Sequence, residues 1–188
     1  MNVELEARFH NISSLIFEAL RPPIIPTIST SVIYPNNVRV VTSADGSTIT
    51  MQKTVHSGYP VRHEWGNLVQ ANETEIFVKP MGLPIMTRHR ERWSRTLPNG
   101  ATLDVSRIRT EGHADPKRNK TTFEVEVEIM NPTAETRLSF EKDRKDVEAT
   151  IAQIRDIVNI FNAGADIGIL SDRVLARPRN LKRDDFSS

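Results

Sequence analysis

Three stretches of the chain place charges at spacings that chemistry can use. "FEVEVEIM", running from Phe123 to Met130, puts Glu124, Glu126 and Glu128 at alternate positions. Successive side chains of a strand point to opposite faces, so these carboxylates project one way while Phe123, Val125, Val127 and Ile129 project toward a core. Neighbours two apart lie roughly 7 Å from each other, close enough to repel, and glutamate is depleted in strands. Such a face is either simply wet or it holds a cation. "NVELEARF" repeats the pattern, with Glu4, Glu6 and Arg8 opposite Val3, Leu5, Ala7 and Phe9. Five carboxylates looking into one interior are costly without positive charge among them. A divalent cation on hard oxygen donors, Mg²⁺ or Mn²⁺, would relieve the repulsion.

The third stretch is basic. "RHRER" sets Arg88, Arg90 and Arg92 on one face, where forked donors can meet phosphate oxygens. Its other face is mixed: Thr87, His89, Glu91 and Trp93. Lys53 in "TMQKTV" and Lys79 in "IFVKP" each sit among apolar neighbours, as an inward-facing charge would. Downstream, Pro98-Asn99-Gly100 is a hairpin signal. A two-residue Asn99-Gly100 loop would set Asp104 opposite Arg95, on the wrong side. A three-residue loop with Gly100 left-handed instead pairs Arg92 with Ser106 and Ser94 with Asp104, so that all face one centre. The three-residue loop is the expectation. Acidic strands facing basic ones in a closed interior make a place for a metal and a polyphosphate, and in-line attack of water on a terminal phosphoryl group is the chemistry that suits it.

The elements that must hold these residues are mostly strands. After "NVELEARF", "NISSLIFEAL" reads as a short helix with Asn11 as N-cap, ended by Pro22-Pro23. β-branched runs follow, "TISTSVIY", "VRVVT" and "STITMQKTV", with Pro35-Asn36-Asn37 and Asp45-Gly46 as turns. "ETEIFVKP" is expected to be a further strand, then "IMTRHRERWSRT", "ATLDVSRIR" and "TTFEVEVEIM". From Ser139 the period changes: Val147, Ile151, Ile154, Val158 and Phe161 recur at helical spacing up to Gly164, one long amphipathic helix to dock outside the sheet. Seven or eight strands in succession point to an antiparallel barrel or sandwich.

Bulk properties set the frame. With 188 residues, one domain with one core is expected, spanning 1–170, and the basic stretch 171–188 reads as a flexible tail or linker. Lys and Arg number 25 against 24 Asp and Glu, so overall charge does not point to nucleic acid. The absence of cysteine excludes disulfides, thiolate metal sites and cysteine nucleophiles. No apolar run of about 18 residues exists and no signal-peptide pattern opens the chain, so an intracellular protein without a membrane partner is expected.

"ELEARF", "RHRER", "LDVS" and "EVEVE", in that order, resemble the metal-dependent RNA 5'-triphosphatases that begin mRNA capping in fungi and large DNA viruses, members of the triphosphate tunnel metalloenzymes. The resemblance covers roughly residues 3 to 130, and the compact size is closer to the viral branch. It implies a mainly β fold, an eight-stranded antiparallel tunnel with a short N-terminal helix and a long C-terminal helix outside. It implies Glu4, Glu6 and Glu128 as metal ligands, Glu126 holding a water, and Glu124 supporting the basic strand. Lys53, Lys79, Arg90 and Arg92 would bind the triphosphate, with Arg88 in support. Glu126, Arg90, Arg92 and Lys79 would carry catalysis. Phe9 would pack beneath the first acidic strand, and Asp104 and Ser106 would organise the arginines. Ser106 stands where the family usually has threonine, and Thr102 where a basic residue is often found. The implied substrate is 5'-triphosphate RNA, with free nucleoside triphosphates as side substrates, a capping guanylyltransferase as partner, and the host nucleus or cytoplasm as the place of action of a viral member.

Two other functions compete. One is hydrolysis of tripolyphosphate or thiamine triphosphate, although such relatives usually carry lysine where Arg8 stands. The other is a non-catalytic barrel that binds anions or nucleic acid. Among the remaining candidates, the five histidines show no metal-ligand spacing, Trp65 and Trp93 read as packing residues, and "EGHADPKRNK" reads as an exposed loop whose Lys117, Arg118 and Lys120 are within reach of an RNA chain.

Overall fold

A computed structural model describes residues 2–113 and 115–162. The expected tail, and Gly164 as a helix stop, lie outside the described residues. Among the described residues nine strands and two α-helices follow one another: β1 (Asn2–Phe9), α1 (Ser14–Leu20), β2 (Thr27–Ile33), β3 (Val38–Ser43), β4 (Thr48–Val55), β5 (Val61–Arg62), β6 (Gly66–Glu75), β7 (Met86–Thr96), β8 (Thr102–Gly112), β9 (Lys120–Met130) and α2 (Ala134–Asn162). The strands run β1-β9-β8-β7-β2-β3-β4-β6, and β6 pairs back onto β1, closing an eight-stranded antiparallel barrel. The short β5 pairs beside β6 as a ninth strand.

The barrel reverses the usual distribution of polarity. Its apolar core lies outside the wall. Leu5, Ala7 and Phe9 of β1, Leu103 and Val105 of β8, and Val125, Val127 and Ile129 of β9 are buried with Ile16 and Phe17 of α1 and Phe140, Val147, Ile151 and Ile154 of α2. Burying the Val, Leu, Ile and Phe side chains of this core contributes roughly 1.5–3 kcal/mol each, and this contribution stabilises a wall whose inner face is charged. Trp93 joins the core through an edge-on contact with Phe17, 5.5 Å between ring centres.

The three-residue hairpin loop forms as expected. Leu97 N–H donates to the Ala101 carbonyl, Gly100 has φ +83°, and Arg92 pairs with Ser106 and Ser94 with Asp104. Three expectations are corrected. The cap of α1 is Ser13, whose hydroxyl accepts from Ile16 N–H, while Asn11 takes a left-handed turn. α2 begins at Ala134, five residues before Ser139. The strand expected over "ETEIFVKP" lies mostly upstream, at Gly66–Glu75, and includes only the first three residues of that stretch. Beyond it the chain runs as a connection on which Phe77 is 92% exposed and Lys79 is exposed too.

Candidate active site and metal centre

Strand alternation sends one row of side chains from each strand into the lumen, and register aligns the rows. Glu6 stands opposite Glu128, and Arg8 opposite Glu126. Asp104 stands opposite Glu126 and Ser106 opposite Glu124. On the far wall, Arg92, Arg90 and Arg88 stand opposite Thr27, Ser29 and Ser31. Glu4, Glu6, Glu126 and Asp104 are buried, and so is Ser106.

Glu4, Glu6 and Glu128 each offer a carboxylate oxygen to a common point, the three atoms lying within 4.8 Å of one another. The arrangement resists ionisation. Burial, and then the neighbouring Glu4, Asp104 and Glu6 carboxylates, push Glu128 up to about 7. Burial also raises Glu4, against the opposing pull of Lys53. The donor set is oxygen only, which suits a hard divalent cation.

Glu126 is treated differently by its surroundings. Burial alone would raise its carboxyl, but the guanidinium groups of Arg8 and then Arg90 and Arg92 hold it down to about 2. Arg8 lies 2.6 Å from Glu126 and 3.0 Å from Glu6. Glu124 receives Arg88 at 2.7 Å and Arg90 at 3.2 Å, and Asp104 receives Arg92 at 3.0 Å and the Ser94 hydroxyl at 2.6 Å. The carboxylates of β8 and β9 therefore fix the arginine row in place. Lys53 on β4 ion-pairs with Glu4 and with Glu6, the latter at 3.3 Å. Between the arginine row and the β2–β3–β4 wall lies a cavity of about 290 Å³, lined by Arg88, Arg90, Arg92, Arg39, Glu73 and hydroxyls such as Ser29 and Ser31.

The structure thus gathers Glu4, Glu6, Glu124, Glu126, Glu128, Lys53, Arg88, Arg90, Arg92, Asp104 and Ser106 in one lumen. Phe9 lies on the outer side, against Trp65 at 5.2 Å between ring centres. Lys79 is not brought to the lumen wall: it sits exposed on the β6–β7 connection, because the apolar neighbours that suggested a buried strand are themselves exposed. The Ser106 hydroxyl makes no hydrogen bond among the described residues. Sequence reasoning left out Arg8 as a site residue, and it left out Arg39 and Glu73, which pair at 2.5 Å in the cavity. Arg8 shared its alternation with Glu4 and Glu6 and was open to detection. Arg39 is a single charge in an otherwise uncharged strand, with no periodic signal, whereas Glu73 alternates with Glu75 at the end of β6 and was open to detection as Arg8 was.

No protein-family model matches the sequence, and no curated protein matches it. Solved structures do. The mimivirus capping enzyme triphosphatase superposes with a TM-score of 0.59 at 17% identity, over 81% of this chain and 90% of that one. A second structure, the RNA triphosphatase domain of the trifunctional mimivirus mRNA capping enzyme, gives 0.60 at 16% identity over 79% and 88%. The S. pombe RNA triphosphatase gives 0.51 at 16%, over 84% and 83%. The chain shares the fold of these proteins.

Proposed function

We propose that this chain is a divalent-metal-dependent hydrolase that removes the γ-phosphate from the 5'-triphosphate end of RNA, the first step of mRNA cap formation. One observation carries the reading: inside a single closed lumen, the Glu4–Glu6–Glu128 cluster faces the row of Arg88, Arg90 and Arg92. Glu4, Glu6 and Glu128 would hold Mg²⁺ or Mn²⁺, whose bound charge would polarise a phosphoryl oxygen. The fold shared with viral and yeast RNA triphosphatases favours RNA over a small polyphosphate.

The chain's own residues divide the remaining work. Arg90 and Arg92 present forked donors to phosphate oxygens, and both are held rigid by Glu124, Glu126 and Asp104. Preorganised charge of this kind is the main source of acceleration in phosphoryl transfer, whose loose transition state needs little from a base. Glu126 fits that requirement. A carboxylate held near 2 is a poor proton acceptor at neutral pH, so its role is to accept a hydrogen bond from the attacking water and orient it. Arg39 extends the cationic wall along the cavity. Free nucleoside triphosphates are expected as side substrates, and a guanylyltransferase of the capping reaction as the consumer of the diphosphate end. Such a role belongs inside the cell.

Phosphate release from γ-labelled 5'-triphosphate RNA, with Mg²⁺, with Mn²⁺ and with chelator, tests the proposal. Metal-dependent release that Glu126→Ala abolishes is expected. Turnover of tripolyphosphate with none of RNA would move the protein to small substrates, and no turnover of either would leave a binding barrel.

A further inference from the structure

We infer that Lys53 occupies the cation site when no metal is bound, so that its ammonium and a divalent ion exclude one another and metal binding transfers the lysine to the phosphate. This inference rests on the metal site proposed above.

Lys53 lies on the lumen side of β4, in register with Glu73 of β6. Its Nζ meets Glu4 Oε1 and lies 3.3 Å from Glu6 Oε2, so the ammonium stands between two of the three clustered carboxylates. An ammonium carries donors only and cannot join a metal's coordination shell. Ligand oxygens sit about 2.0–2.6 Å from Mg²⁺ or Ca²⁺-sized ions, so an ion held by these carboxylates would be placed against a like charge. One of the two must leave.

Lys53 is the group built to leave. Arg8, the other cation at this end, is anchored by Glu126 as well as Glu6, and Glu126 stands outside the cluster. Lys53 reaches the site on a flexible four-carbon stem. Met51, two residues earlier on the same face, lines the cavity shared with Arg88, Arg90 and Arg92. Displaced from Glu4 and Glu6, the ammonium has that cavity to turn into, where a polyphosphate would receive it.

Two consequences follow from the competition. A site that its own lysine fills nine-tenths of the time binds metal about tenfold more weakly than the same site left open. Metal and polyphosphate must also tighten each other's binding by the same factor, because binding couplings are reciprocal.

The experiment is calorimetric titration of Mn²⁺ into the full chain without phosphate, for wild type, Lys53→Met and Lys53→Arg. Lys53→Met is expected to bind about fivefold to tenfold more tightly than wild type, and its binding should respond less to added tripolyphosphate. Lys53→Arg, which keeps the charge, should not gain affinity. In ¹⁵N-lysine-labelled wild type, the Lys53 ammonium resonance should move on adding Mg²⁺, a readout that stands even where Lys53→Met does not fold. Equal or weaker metal binding by a folded Lys53→Met, or an unmoved resonance while metal binds, overturns the inference and leaves the metal site intact. Failure of wild type to bind metal at all removes both the inference and the metal site beneath it.

Discussion

Arg8 and Glu126 face each other across the β1–β9 pair, guanidinium to carboxylate at 2.6 Å, and this contact joins the first strand of the barrel to the last. Glu126 is buried, so its removal leaves a cation without its nearest partner. Opening a fully buried pair on one side costs about 3–5 kcal/mol, but the Arg8 side chain is 36% exposed and keeps Glu6, which places Glu126→Ala at about 2 kcal/mol. For a chain of this size the melting temperature should fall by roughly 4–8 °C. Glu126→Gln keeps the shape and a hydrogen-bond acceptor, so it should fall less and keep more of its turnover than Glu126→Ala. A thermal melt beside the phosphate-release assay separates the two effects; retained turnover in Glu126→Ala would remove this side chain from the reaction.

The two faces of β7 give a second prediction. Arg90 lies on the lumen face, 3.2 Å from Glu124 and lining the cavity, whereas Arg95 alternates to the other side of the strand. Arg90→Ala should reduce kcat/KM by at least about a hundredfold, the scale of losing one preorganised transition-state donor. Arg95→Ala should leave it within about threefold. Comparable losses for both would show that the arginine row does not act from inside the barrel.

Acidity supplies a third. Glu128 keeps its proton to about 7 in the folded chain, against an ordinary 4.5 in the unfolded one. Between those values the folded state binds more protons, so stability falls as pH rises from about 4.5 to 7 and is level above. Glu4, also raised, acts in the same direction. Lowered Glu126 acts only below the ordinary carboxylate range. Metal must displace the Glu128 proton, so the rise in melting temperature on adding Mg²⁺ or Mn²⁺ should be larger near pH 8 than near pH 6. Glu128→Gln should flatten the metal-free slope, and an unchanged slope would mean that the carboxyl is ionised throughout.

Lys79 shows where the sequence misleads. The acidic and basic faces were legible because alternation forces period two upon them, and the hairpin register followed from Pro98-Asn99-Gly100. β6 offered such a pattern only at its end: its lumen face runs Val69, Ala71, Glu73 and Glu75, apolar before it is acidic, and its outer face is mostly polar. The nearby apolar "IFV" drew the strand downstream and carried Lys79 with it. β5, two residues long, is too short to leave a period, and Ser13 competed with Asn11 as two good caps within three residues. Lys79→Ala, at an exposed position, should change KM for 5'-triphosphate RNA by no more than about threefold. A loss on the scale of Arg90→Ala would mean that the β6–β7 connection closes on the substrate.

Gly66 offers the sharpest test of the barrel itself. It stands opposite Phe9 where β6 closes onto β1, and a Cβ placed there would lie 2.0 Å from the Arg8 carbonyl oxygen and 3.0 Å from the Phe9 Cα. Backbone meets backbone, so no side chain can swing aside, and the β1–β6 seam must open. The cost should exceed the roughly 1–3 kcal/mol typical of an overpacked side chain. Gly100→Ala is the control. It sits at φ +83° with open space around it, so it should pay only the left-handed penalty of about 1–2 kcal/mol. Because Arg8 is carried by the displaced segment, Gly66→Ala should also lower turnover beyond its loss of folded protein, as the Arg8–Glu126 contact lengthens. Chemical denaturation of both variants, with activity corrected for the folded fraction, measures this directly. A Gly66→Ala chain as stable as Gly100→Ala would mean that β1 and β6 do not close the barrel.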